Sequence, residues 1–364
     1  MSDTFRILAI NPGSTSTKIS VFENEDEVWT SKLKHSKEEL EGFDHIIDQY
    51  DFRKGVILGE LEKAGIPVGE LDAVVGRGGL LKPIEGGTYA VSDAMIRDLK
   101  ASPIGEHVSN LGAPIARELA GIAGCPSFIV DPVVVDEMED IARFSGHPDL
   151  PRRSILHALN QKAVARKASA DLHRDYASLN LIVVHLGGGI SVGAHRGGRI
   201  IDVNNALNGD GPFTPERSGG LPVGDLVELC FSGRKTKAQI KKMIKGEGGI
   251  VAYLGTNDMM TVEKEIEKGN DRFRRVYQAM AYQISKEIGG LAAVLCGKVD
   301  AIVITGGIAY DKTFIKWIED RVAFIARVMV YPGEKEMESL ALGALRVIRG
   351  DEEAREYDPE ERLT

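Results

Sequence analysis

The sequence predicts an α/β protein of two duplicated halves, each a mixed sheet flanked by helices, on three observations. An apolar strand, a glycine-rich bend with polar groups and a second alternating strand occur twice, as ILAINPGSTSTKISVF at 7–22 and LIVVHLGGGISVGAHR at 181–196. After each copy the apolar period changes from two residues to helical spacing and back, so the order strand, strand, strand, helix, strand, helix appears twice. At 364 residues, 43% hydrophobic and 27% charged, the chain has material for two cores.

In the first half, strands are expected near 7–11, 18–22 and 28–33, joined by tight turns. Helical spacing follows over 37–64, with Leu40, Phe43, Ile47, Tyr50, Phe52, Ile57 and Leu61 as candidate buried positions. Buried strands at 72–75 and 127–130 are separated by helices beginning near Asp93 and Gly112. The charged, Pro- and Gly-containing stretch 136–153 is the candidate crossing, so the expected domains are 1–150 with 340–364, and 151–339. The second half should open with a helix over 154–174, then the repeated strand–bend–strand unit and a strand at 199–203. Helices are expected near 223–231, 236–245, 259–268 and 271–295, and a strand at 300–305 should run into Gly306 and Gly307. Leu340, Leu342, Leu345 and Ile348 recur at helical spacing in a final segment over 334–350 that is expected to pack back as a hinge. The charged tail DEEAREYDPEERLT is expected to be solvated.

A formal net charge of −9 argues against a nucleic-acid surface, so an anionic substrate must be met by local cations. Cys125, Cys230 and Cys296 are far apart and form no CxxC or Cys/His cluster, which points to buried free thiols. MSDTFRILAI enters a strand without a signal-peptide pattern, and no apolar run reaches membrane-spanning length. A cytoplasmic protein without a membrane partner is expected.

The two bends suggest a phosphate site, because glycine lets backbone N–H groups approach an anion. Either bend alone would fit an ordinary hairpin. Asn11 and His185 hold equivalent places, each closing the first strand before its bend. Arg77, in VGRGG, and Arg217, in GPFTPERSGG, sit among glycines that admit a ligand, and a guanidinium suits a carboxylate or phosphate. A solvated surface charge is the alternative for each. His185 reads as a phosphate donor or as a hydrogen-bonded core histidine, and His157 as a supporting or a structural one. Asp131 ends an apolar run at a strand C-terminus, where α/β ligands bind, with turn capping as its alternative.

These residues resemble the acetate and butyrate kinase family, within the actin, Hsp70 and sugar-kinase superfold, over nearly the whole chain. The strings that carry the resemblance are INPGSTSTK, VGRGG, HLGGGISV, GPFTPERSGGLPVGDL, ITGGIAYDK and EKEMESLALGALRVIRG, the last similar to butyrate kinases in particular. The resemblance implies two ribonuclease H-like (actin-like ATPase) domains with a cleft between them. It implies reversible phosphoryl transfer from Mg-ATP to butyrate or a related short or branched carboxylate, giving ADP and an acyl phosphate. Acetate or propionate is the alternative acid, and a slow ATPase of the superfold a more distant reading.

By the same resemblance Arg77 and Arg217 orient the carboxylate and steady the transferring group, His185 donates to it, His157 supports it, and Asp131 positions an arginine or a metal-bound water. Asn11, Ser14, Thr15 and Lys18 fall on the phosphate side. Gly187, Gly188, Gly189, Asp258, Gly306, Gly307, Ile308 and Asp311 fall on the nucleoside side. Asn11 and Glu338, with Glu336 the alternative, are linked to Mg²⁺. Gly79, Asn110 and Leu156 stand where acetate kinases carry other groups. With Pro212 they imply a roomier acid pocket, since one methylene shifts discrimination by about 1–3 kcal/mol. Homo-oligomerisation is a family expectation.

Overall fold

β1 (Arg6–Gly13) and β2 (Ser16–Glu23) pair antiparallel through a two-residue turn, Ser14 and Thr15, and β3 (Asp26–Lys34) adds to β2. The structure, a computed structural model, describes residues 4–360. α1 (Lys37–Leu40) is a single turn with a Ser36–Glu39 capping box, and the chain resumes as α2 (Tyr50–Lys63). The helical stretch expected over 37–64 is therefore broken, at Gly42 and its polar neighbours. Ile57 and Leu61 are buried, the other apolar candidates are half-buried, and Arg53 completes the inner stripe at i, i+4, i+8.

β4 (Ala73–Arg77), β5 (Thr88–Ala90), α3 (Asp93–Ala101), α4 (Gly112–Ala123) and β6 (Ser127–Val130) follow. α5 (Ala158–Asp171) leads into β7 (Asn180–Leu186), β8 (Ile190–Arg196) and β9 (Arg199–Val203). Next come α6 (Val223–Phe231), α7 (Lys237–Ile244), α8 (Gly249–Leu254), α9 (Met259–Glu267) and α10 (Asp271–Val294). β10 (Ala301–Gly306), α11 (Lys312–Val322), β11 (Val328–Pro332) and α12 (Glu336–Arg349) complete the chain.

The first sheet has the order β3-β2-β1-β4-β6-β5 and the second β11-β10-β7-β8-β9. Read from its other edge, the second repeats the first five strands of the first. In each, the outer two pairings from the hairpin side are antiparallel and the next two parallel. β5 is the addition, three residues antiparallel to β6.

Two compact units result. One holds the chain up to Asp136 and from Lys335 onward, the other Glu137 to Glu334. Residues 137–150, assigned to the first domain from composition, pack on the second unit. Buried Glu137 pairs with Lys162 at 2.9 Å and accepts from Ile200 N, and Glu139 N donates to Ile201 O. Residues 335–339 belong with the first unit, because α12 lies on β1, β4 and β6. It comes so close that a Cβ at Gly343 would meet the Val130 side chain.

The tail is less solvated than its charge suggests. Tyr357 is buried with its hydroxyl on Asp98 at 2.6 Å, and Arg355 pairs with the β5 backbone and with Glu85; residues 361–364 lie outside the described part. Cys125 is half-buried and free, whereas Cys230 and Cys296 are exposed, contrary to the expectation of buried thiols. No helix among the described residues is long and apolar enough to cross a membrane.

Candidate functional site

In the first unit, three neighbouring parallel strands end side by side. Ile10 lies opposite Gly76 and Arg77 opposite Val130, so Asn11, Arg77 and Asp131 share one sheet edge. α12 brings Glu336 to the same edge in its first turn, where a carboxylate complements the helix dipole. Asn11 Nδ2 donates to Glu336 Oε2 at 2.6 Å, and Arg77 forms an ion pair with the other carboxylate oxygen. Glu338 instead pairs with Lys335 at 2.6 Å. Among the described residues no group of three or more His, Cys, Asp or Glu could by itself hold a metal ion.

Asp131 adopts φ +37°, rare outside glycine, and its Oδ1 accepts from Gly87 N at 2.7 Å while its own N–H donates to Gly87 O. These two bonds continue the antiparallel pairing of β5 with β6 by one step, across 44 residues of chain. Gly76 and Gly112 permit a close backbone approach, since a Cβ on either would fall on the other segment's main chain. Gly79 opens no space. Asn110 Oδ1 and Leu99 Cδ2 already stand 2.6 and 2.7 Å from where its Cβ would be. Asn110 is itself consumed by Leu80 N, Ser102 Oγ and Gly105 O. The space expected at Gly79 is therefore occupied by Asn110 and Leu99.

Ser14 and Thr15 are exposed at the first bend and Lys18 is exposed on β2. A residue outside every motif holds the bend from beneath. Arg53, fully buried, donates to Gly13 O, Ser16 O, Thr17 Oγ1 and Ser14 O at 2.9–3.3 Å. Burial without a carboxylate partner pulls its pKa down to about 10.

In the second unit, the two-residue period of β7 sends Ile182, Val184 and Leu186 into the core under α10, and Leu181 and Val183 toward α5. His185 shares the α5 side. Its Nδ1 lies 2.8 Å from Asn160 Oδ1 and its Nε2 3.1 Å from Glu334 Oε1. The His157 ring, at the start of α5, stacks on it at 3.8 Å and 15°. Leu156 and Pro212 are buried in the same unit.

Gly187, Gly188 and Gly189 form the second bend, with ordinary backbone angles. What they supply is the missing Cβ. A side chain at Gly189 would fall on the Arg217 guanidinium, and one at Gly187 would crowd His185 Nε2 at 3.0 Å and Glu334 Oε1 at 3.2 Å. Arg217 thus lies across the bend, with Nη1 on Ala206 O at 2.5 Å and Nε buried without a partner. Burial lowers its pKa, against the opposing effect of Glu216. An orphaned guanidinium donor at a glycine bend fits an anion.

A cleft of about 610 Å³ in this unit is lined by Gly187, Gly188, Asp258, Gly307, Ile308 and Asp311, all singled out from the sequence. Glu216, Asn257, Met259, Met260, Glu263, Tyr310 and Glu334 also line it, although none was named as a site residue from the sequence. Gly306, at φ +96°, lets β10 pass the Leu186 backbone. Asp258 caps α9 and accepts from Thr261 Oγ1 at 2.6 Å, which holds its carboxyl below the usual range. Asp311 caps α11 through Thr313 N and Phe314 N.

Comparison with known proteins fits this arrangement. The chain is 58% identical to butyrate kinase 2 of Clostridium acetobutylicum over 353 residues, 97% of this chain and 99% of that protein. It belongs to the acetokinase family. The family's sequence model matches residues 149–328. Among solved structures, Porphyromonas gingivalis acetate kinase superposes with a TM-score of 0.79 at 20% identity, covering 94% of this chain and 100% of that one. A propionate kinase from Francisella tularensis gives 0.69 at 18% identity, covering 93% and 98%. The family's fold is the duplicated actin-like ATPase fold, two mixed sheets flanked by helices, and its butyrate and acetate kinases are phosphotransferases that act on a carboxyl group.

Proposed function

We propose that this chain transfers the γ-phosphoryl group of Mg-ATP reversibly to butyrate or a related short carboxylate, yielding ADP and an acyl phosphate. The observation that carries the reading is the 58% identity to a butyrate kinase across both units. A carboxylate is already ionised at neutral pH, so no general base is needed, and catalysis rests on positioning and charge. Arg217, whose guanidinium lies over the second bend and whose Nε is buried without a partner, and Arg77 would steady the phosphoryl oxygens and the acid. His185 and His157 would donate to the same group.

The 610 Å³ cleft would take the nucleoside, its size suiting a small ligand and its carboxylates suiting ribose hydroxyls. Mg²⁺ typically uses one or two carboxylates, waters and substrate phosphates. Glu336 beside Asn11 suits that habit better than Glu338, which is held by Lys335. When bound, the ion would neutralise phosphate charge.

The preference for butyrate rests on the relative rather than on the pocket argument, since Gly79 leaves no vacant space. Hydroxamate trapping with acetate, propionate, butyrate and isobutyrate tests the reading. Acid-dependent acyl phosphate, highest with a four-carbon acid, is expected, and ATP hydrolysis indifferent to any acid would refute it. We also infer self-association. Val223, Val227 and Phe231 leave an apolar face exposed on α6, and light scattering that finds only monomers would refute this.

A further inference from the structure

The reading above gives His157 a donor role, and the inference that follows rests on it. β8 turns Ile190, Val192 and Ala194 into the core, so Ser191, Gly193 and His195 face the other way, toward α5. They meet Gln161 and Tyr176 there. His195, fully buried, has Nδ1 2.7 Å from the Tyr176 hydroxyl and Nε2 2.9 Å from Gln161 Oε1. Gln161 Nε2 lies 3.1 Å from Ser191 O and 2.8 Å from Ser191 Oγ. Ser191 Oγ lies 3.0 Å from His157 Nδ1.

Counting hydrogens fixes the direction of every bond. A carbonyl only accepts, so the Gln161 group facing Ser191 O is the NH₂, and Oε1 faces His195. His195 Nε2 therefore carries a hydrogen. Burial, with Lys162 and Arg166 nearby, pushes the His195 pKa well below its usual value, so the ring is neutral and Nδ1 accepts from Tyr176. The Ser191 hydroxyl accepts from Gln161, and its own hydrogen has one acceptor in reach, His157 Nδ1. A proton on that nitrogen would orphan the hydroxyl inside the protein.

We propose that Gln161, Ser191 and His195 are positioning residues that lock His157 as the neutral Nε2–H tautomer. The ring then presents a fixed N–H donor without placing a cation on the face of the His185 ring, stacked 3.8 Å away. Gly193 belongs to the device, because a Cβ there would come within 2.5 Å of Gln161 Oε1.

Nitrogen-15 NMR of the histidine rings in the full chain, before substrate is added, reads the tautomers directly. Near neutral pH, His157 and His195 should both appear as neutral Nε2–H rings. Gln161→Glu is nearly isosteric but offers Ser191 an acceptor, so the hydroxyl turns away and the His157 proton moves to Nδ1. Ser191→Ala removes the hydroxyl and leaves His157 a mixture of tautomers. In both variants kcat with Mg-ATP and butyrate should fall about tenfold to a hundredfold, as for other oriented histidines, with KM for ATP within about twofold. His157 found as Nδ1–H or as imidazolium in the wild type overturns the proposal, and that spectrum decides even if a variant fails to fold. An unchanged His157 signal in folded Gln161→Glu overturns it equally. If the tautomers behave as described but no acid yields an acyl phosphate, the acyl-kinase reading fails and the lock stands.

Discussion

Removing Arg217 tests the second half-site most sharply. Its guanidinium lies across Gly189, is anchored by Ala206 O at 2.5 Å, and keeps a buried Nε without a protein partner. A preorganised cation aimed at a transferring phosphoryl group contributes about 10³-fold or more, so Arg217→Ala should lower kcat by about a thousandfold, or about 4 kcal/mol. Folding should change little. The loss of one anchoring hydrogen bond, about 0.5–1.5 kcal/mol, is offset by removing an unsatisfied buried donor of comparable cost. Hydroxamate trapping at saturating butyrate and ATP measures the first quantity, and urea unfolding the second. Gly189→Ala should reproduce the defect with Arg217 intact, because the added methyl displaces the guanidinium. Turnover within about threefold of wild type in Arg217→Ala, far short of a guanidinium's usual contribution, would show that the charge does not serve the reaction.

Three further outcomes follow from the geometry. Glu336→Gln should raise the Mg²⁺ concentration needed for half-maximal turnover and cut kcat by about a hundredfold, whereas Glu338→Gln should leave both near wild type. A Mg²⁺ titration of the two variants checks the assignment. Arg53→Met should destabilise the first unit by about 3 kcal/mol or more, because four acceptors of the Gly13–Thr17 bend lose their donor, and urea unfolding measures it. His195 has a depressed native pKa, so the unfolded chain binds its proton first as pH falls. Its contribution is intact above the unfolded value near 6.5 and is lost below it at up to about 1.4 kcal/mol per pH unit. Unfolding curves across that range should therefore be less pH-dependent in His195→Gln than in wild type.

Much of the architecture was legible because its signals are local. The two strand–bend–strand copies show in β-branched runs punctuated by glycine, and β9 and α6 have the expected bounds. β5 escaped because three residues carry no period, and only its pairing with β6 and with Arg355 defines it. α11 could have been found, since Phe314, Ile315, Ile318 and Val322 repeat at helical spacing. So could Arg53, which stands in register with Ile57 and Leu61 on the inner face of α2. In the site, Arg77 ends β4 and His185 stands one residue before the end of β7, whereas β1 continues two residues past Asn11. The different surroundings of Glu336 and Glu338 needed the helix phase of α12, which turns one carboxylate to Asn11 and the other to Lys335. Gly79 misled because a missing side chain reads as space, and Asn110 fills it from elsewhere in the chain.

The most direct test of the central claim is phosphorus NMR of the full-length chain with Mg-ATP, with and without butyrate. An acyl-phosphate resonance that grows in step with ADP, only when the acid is present, is the predicted result. ADP and inorganic phosphate appearing equally in both samples, with no acyl-phosphate signal, would contradict the account.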